Sequence, residues 1–202
     1  YDNFYGEAGT DTLSFAGVTE NLNLSNMDYS ATFSLGGANN GYSNIERFIL
    51  GEGSDTFSTY VYNRDYNPLW VDGGAGDDYI AMATYNSSTA YDAPDSLFGG
   101  EGNDTLLGYS GIDLLEGGQG DDYLHGGRND DVLYGGAGND IIYAGGLYSN
   151  WTDNDTVDGG DGIDAYYMYG ANQVINMDLS TDWQSTLGSY GLGSDMVTNM
   201  EG

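Results

Sequence analysis

From residue 99 to residue 143 the chain reads GGEGNDTLL, GYSGIDLLE, GGQGDDYLH, GGRNDDVLY and GGAGNDIIY, five nonapeptides in unbroken register. In each, a polar, glycine-rich stretch ends on an aspartate (Asp104, Asp113, Asp122, Asp131, Asp140). An apolar residue stands two places beyond it (Leu106, Leu115, Leu124, Leu133, Ile142). One apolar anchor per nine residues leaves too short a periodic run for a helix. It predicts short strands that point that anchor into a thin core of Leu, Ile and Val. The glycines supply positive φ and close backbone approach in the turns between them. The register extends in both directions. Asp95 with Leu97 and Asp78 with Ile80 precede the run, separated by an insertion at 82–89; Asp155 with Val157 and Asp164 with Tyr166 follow a second insertion at 144–149. Isolated copies, GEAGTDTLS and LGEGSDTFS, place Asp11 and Asp55 in the first third of the chain.

Charge changes the picture. The 202 residues hold 32 Asp+Glu against 3 Lys+Arg, a formal net charge of −29. A chain so acidic lacks the basic footprint that a nucleic-acid backbone or an anionic membrane surface requires, and no apolar run is long enough for a membrane-spanning helix. Without cysteine there are no disulfides, thiolate metal sites or cysteine nucleophiles. High net charge and 34 glycines are marks of disorder, yet 39% hydrophobic and 14% aromatic residues are too many for a solvated tail. The combination points to a missing cationic partner. Carboxylates and backbone carbonyls are hard oxygen donors, and Ca²⁺ takes six to eight of them, whereas softer metals gain nothing without imidazole or thiolate.

The pattern G-G-x-G-x-D-x-U-x resembles the RTX (repeats-in-toxin) calcium-binding repeat, the hemolysin-type nonapeptide, densely over residues 73–167 and sparsely over 1–58. The resemblance implies an all-β, calcium-binding parallel β-roll, a β-solenoid in which each nonapeptide is a six-residue turn plus a short strand and two nonapeptides close one coil. Alternate turns then share an edge. Asp78, Asp104, Asp122, Asp140 and Asp164 fall on one edge, and all five complete GGxGxD turns fall there with them. Their glycines, the expected cradle, are Gly73 and Gly76, Gly99 and Gly102, Gly117 and Gly120, Gly135 and Gly138, Gly159 and Gly162. Asp95, Asp113, Asp131 and Asp155 fall on the other edge, in turns lacking one or more glycines; Asp11 and Asp55 are further metal-ligand candidates. Ions held between successive turns would number roughly four well-formed and up to three weaker ones. By the same resemblance the chain is expected to be exported by type I secretion to the extracellular space or cell surface, and to fold on meeting calcium.

Residues 12–50 and 165–202 break the rhythm and resemble each other, NLNLS matching NMDLS and SNIERF matching TNMEG. The expected organisation is therefore sparse repeats with a β block (1–58), a main roll (59–167) and a second β block (168–202) truncated before a further repeat. Tyr1 stands inside a nonapeptide, so the chain is expected to be a segment of a larger protein. Aromatics outside the core positions, chiefly Tyr62, Trp70 and Trp151, are candidates for stacking on a glycan or a surface protein from loops, an adhesin-like alternative. Catalysis finds no specific motif. Carboxylates are everywhere, the single His125 is expected to face solvent without a nucleophile beside it, and the GGxG turns lack the GK[ST] of a phosphate loop. The reading is a non-enzymatic calcium-folding spacer.

Overall fold

The computed structural model describes residues 3–5, 9–27, 32–35, 38–43, 45–61, 68–84, 93–145, 154–169, 174–177 and 188–190. Two parallel sheets run the length of the chain. The first stacks, in order, Thr12–Ser14, Arg47–Gly51, Trp70–Ala75, Ser96–Glu101, Leu114–Gln119, Val132–Ala137, Asn154–Asp161 and Val174–Met177. The second stacks Asn23–Met27, Thr56–Val61, Tyr79–Thr84, Thr105–Ser110, Tyr123–Arg128, Ile141–Gly145, Ala165–Tyr169 and Gly188–Tyr190. Successive strands alternate between the sheets, so two nonapeptides make one coil and each strand pairs with the strand a coil away. A small third sheet joins Asn3–Tyr5, Ala38–Ser43 and Thr32–Leu35, the last two antiparallel. Among the described residues there is no helix.

The register follows the sequence period. Leu97 pairs with Leu115, Leu115 with Leu133 and Leu133 with Val157 in the first sheet; Leu106, Leu124, Ile142 and Tyr166 do the same in the second. These anchors meet between the sheets, and the leucines are fully buried. Phe48 and Phe57, rings 4.8 Å apart, continue the core beneath the repeats, so the 12–50 block contributes strands to the same two sheets. A one-residue slip in any strand would turn its anchor to solvent, which is why a thin core still fixes register.

Two expectations need correction. The strands from Trp70–Ala75 to Val132–Ala137 are six residues long rather than a short x-U-x, because the paired glycines continue the ladder: Gly100 pairs with Gly118 and Gly118 with Gly136. The tight turn is left with only G-x-D. The insertions also begin later than counted. Met82 and Ala144 are buried in the core within the strands Tyr79–Thr84 and Ile141–Gly145 rather than in loops; the remainder of each insertion, 85–89 and 146–149, lies outside the described residues.

Candidate metal centre

Turns leading from the first sheet to the second carry Asp78, Asp104, Asp122, Asp140 and Asp164 in one column, as the nonapeptide count predicts. Asp55 extends this column downward. Within it each aspartate N–H donates to Oδ1 of the aspartate one coil on: Asp55 to Asp78 at 2.7 Å, Asp78 to Asp104, Asp104 to Asp122 and Asp122 to Asp140 at 2.8 Å, Asp140 to Asp164 at 2.9 Å. The carboxylates are thereby lined up inside the edge. At the foot, Leu22 occupies the aspartate position and donates its N–H to Asp55 Oδ1, while Gly51 N–H bonds Asp55 Oδ2.

The second oxygens decide the chemistry. Oδ2 of Asp78, Asp104, Asp122 and Asp140 is buried and accepts no hydrogen bond. A buried carboxylate oxygen in that state is costly unless a cation faces it. Each Oδ2 lies against the first glycine of its own turn, at a spot a Cβ would fill: at Gly73, Gly99, Gly117 and Gly135 an added Cβ would collide with that oxygen. The carbonyl oxygen of the next coil's first glycine closes on the same spot, 2.5–2.6 Å from the Cβ position. Carboxylate and carbonyl oxygens from neighbouring coils therefore converge where glycine leaves room. This donor set is hard oxygen, suited to calcium. Among the described residues no three acidic or imidazole side chains cluster to hold a metal; the remaining donors in such an edge are main-chain carbonyls.

Burial pushes these carboxyls up. Asp78 and Asp122 rise to about 7 and Asp104 and Asp140 to about 6, through desolvation first; the bond from the preceding aspartate N–H acts downward and charged aspartate neighbours push up again. Asp55 and Asp164 are raised for the same first reason. The edge resists ionising unless positive charge is supplied.

The opposite column holds Asp95, Asp113, Asp131 and Asp155, with the same inner bonds at 2.8, 2.8 and 3.0 Å. Below Asp95 it changes: Leu69 takes the aspartate place and donates to Asp95 Oδ1 at 2.8 Å, and Glu46 takes the next, accepting Asp11 N–H at 2.9 Å. Asp11 thus ends this column. Glu46 was not legible from the nonapeptide, because ERF carries no glycine turn.

A second ladder also escaped the sequence reading. On the glycine-complete edge the residue before each aspartate forms its own exposed row: Ser54 N–H bonds Asn21 Oδ1, Asp77 bonds Ser54, Asn103 bonds Asp77, Asp121 bonds Asn103, Asn139 bonds Asp121 and Ile163 bonds Asn139. The run of Asp and Asn at that nominally free position was the available signal. Asparagine between aspartates separates like charges along the row.

Gly76, Gly102, Gly120, Gly138 and Gly162, at the fourth place of the complete turns, all have φ between +122° and +143°. Gly159 leads the last complete turn, beside Asp164 Oδ2 and the Tyr166 hydroxyl.

Trp70 is not on a loop; it opens the strand Trp70–Ala75, with Arg47 over one side of its ring and Phe98 on the neighbouring strand. Tyr62 and Trp151 lie outside the described residues. His125 is half-buried rather than solvent-facing, stacked 5.9 Å from Tyr143, which itself stacks 4.6 Å from Tyr167; burial lowers its pKa.

Residues 70–81, 89–115 and 116–146 match the family model described as the RTX calcium-binding nonapeptide repeat, in four copies. No curated protein and no solved structure matches the chain.

Proposed function

The chain carries RTX calcium-binding nonapeptide repeats, and from that premise we propose that it is a segment of a secreted bacterial protein whose folding is coupled to calcium and which has no catalysis of its own. The observation that carries this reading is the row of buried, partnerless Oδ2 atoms of Asp78, Asp104, Asp122 and Asp140. When bound, calcium supplies the positive charge and the oxygen-coordination positions that those atoms lack. Asp Oδ2 and the first-glycine carbonyls would hold it on the glycine-complete edge, and the Asp95–Asp155 column would offer the weaker positions.

In its absence the stacked carboxylates, one coil or about 4.8 Å apart, face each other across a poorly hydrated edge, and a core one anchor wide has little to set against them. The chain then favours an expanded state. Extracellular calcium modules work at about 10⁻⁴–10⁻³ M, so a chain of this kind would stay extended during export and close outside. Several sites acting on one folded state make the transition steep. The non-catalytic part of the proposal draws on His125, the only histidine, being stacked on Tyr143.

Small-angle scattering tests this reading. In chelator the radius of gyration should approach the roughly 48 Å of an unfolded chain of this length, and in millimolar calcium it should collapse toward the folded scaling of about 17 Å, somewhat above it for an elongated roll. One compact radius in both conditions refutes calcium-coupled folding.

A further inference from the structure

The outer face of the second sheet carries an aromatic stack that the calcium rows do not use. The anchors Leu124, Ile142 and Tyr166 point into the core, so the residue after each, His125, Tyr143 and Tyr167, points outward, in register on adjacent strands. Tyr143 is the centre of the group. Its ring lies 4.6 Å from that of Tyr167 at an interplanar angle of 12°, 5.3 Å from that of Tyr123 at 41°, and 5.9 Å from the His125 ring. All four side chains are half-buried, so the stack keeps its edges open to solvent. It also stands where the chain itself holds the coils together least. Successive aspartates in the complete-edge column are 18 residues apart from Asp122 to Asp140 but 24 apart from Asp140 to Asp164, across the second insertion. Tyr143 and Tyr167 flank that longer step, and the chain has no cysteine with which to bridge it.

We propose that Tyr143 and Tyr167 are a modification site: a dityrosine link, made by hydrogen peroxide through a haem peroxidase, that staples the coils on either side of the second insertion. Each phenol gives up one electron and its hydroxyl proton. The two phenoxyl radicals then join through one ring carbon ortho to each oxygen, and the hydrogens on those two carbons move to the oxygens. One peroxide takes up the two electrons and two protons and leaves as two waters. The shorter spacing and near-parallel rings select Tyr167 over Tyr123 as the partner of Tyr143. A link across this loop limits what the chain gains by opening, so the stapled roll closes at lower calcium. That consequence rests on the calcium-coupled folding proposed above.

The test treats the whole chain in saturating calcium with hydrogen peroxide and a haem peroxidase, and maps the product by mass spectrometry after digestion at aspartate. The expected major product is an intramolecular link, two hydrogens lighter than the untreated chain, joining the Tyr143 and Tyr167 peptides. Tyr167→Phe should lose most of the dityrosine fluorescence, and Tyr134→Phe, on the other sheet, should keep it. Unchanged circular dichroism in calcium shows that both variants fold. The calcium midpoint of the oxidised wild type should fall about threefold below that of the oxidised Tyr167→Phe chain. The proposal is overturned if the major link joins another pair, if it joins separate chains, or if it forms without lowering the midpoint. A chain already folded in chelator has no midpoint; that result refutes the calcium reading, and the peptide masses still decide the link.

Discussion

The two edges of the roll build the same inner ladder from unequal turns. Asp104 to Asp122 and Asp95 to Asp113 are bonded at the same 2.8 Å, so missing glycines do not spoil the carboxylate row. They act on the backbone instead. At the second turn position, Gly100, Gly118 and Gly136 have φ of +113° to +115°, while Tyr109 holds φ +70° at the corresponding place on the other edge. At the fourth position Asn129 stands at φ +77° where Gly102, Gly120 and Gly138 stand on the complete edge. Asparagine tolerates the left-handed region; the bulkier tyrosine is strained there. The exposed outer ladder differs as well. It runs from Asn21 to Ile163 on the complete edge, whereas on the other edge Ile112, largely exposed at 61%, occupies the corresponding position and offers no acceptor. What separates a complete turn from an incomplete one is backbone strain, outer bonding and a slightly looser approach of Oδ2 and carbonyl to the first glycine, 2.6 Å and 2.7–2.8 Å from the Cβ position at Gly108 and Gly126.

The largest effect with which to probe this difference is a change of pH without calcium. Asp78, Asp104, Asp122 and Asp140 have folded pKa values of about 6 to 7 against an ordinary 3.8. Protons therefore favour the folded state: that stability is fully present below about pH 4 and is lost as pH rises through 6 to 7. In chelator the chain should gain β-structure between pH 8 and pH 5, read by circular dichroism. No gain, or a loss, would show that the complete edge is not held apart by its own carboxylates.

Next comes glycine itself. A Cβ at Gly118 would run into the Gly100 carbonyl at φ +114°, so Gly118→Ala should cost about 3 kcal/mol in calcium-loaded denaturation. At the matching place on the other edge, Tyr109→Gly should stabilise by about 1 kcal/mol. Effects of the same sign would end the strain account of the two edges.

Removing one carboxylate is a smaller change. Asp122→Ala leaves Asp104 N–H without its acceptor and Asp113→Ala does so for Asp95, each costing about 2 kcal/mol. Asp122→Ala should raise the calcium midpoint further, because it interrupts the longer and unstrained row. Equal midpoints would mean that glycine content has no bearing on ion affinity.

The smallest effect is Ile112→Asn. It gives Asp130 N–H an acceptor of the kind that Asp130 already offers Asn154, and should add about 0.5 kcal/mol by urea denaturation. A destabilised variant would show that the outer ladder contributes nothing on this edge.

Much of this was legible in the chain. A period of nine with one apolar anchor sets strand, register and edge, since side-chain direction alternates along each strand and the coil returns every eighteen residues, as Leu97, Leu115 and Leu133 show. Asp55 and Asp11 were visible only as isolated motifs, because Leu22 closes the first column below Asp55 while Leu69 and Glu46 separate Asp11 from the rest of the second, and none of the three matches the motif. The outer Asn/Asp row was hidden at a position the pattern leaves open. Trp70 misled because aromatic side chains away from core positions read as loop contacts, whereas Arg47 and Phe98 on neighbouring strands enclose it.

The central claim is that the aspartate rows keep the chain open until a cation of the right size fills them. Far-UV circular dichroism during a calcium titration, with magnesium as the control, tests it most directly. A steep coil-to-strand transition near millimolar calcium, with no transition in magnesium, is the predicted result. A chain already rich in strand in chelator would contradict it, and would assign the stability of the roll to the Leu–Ile core alone.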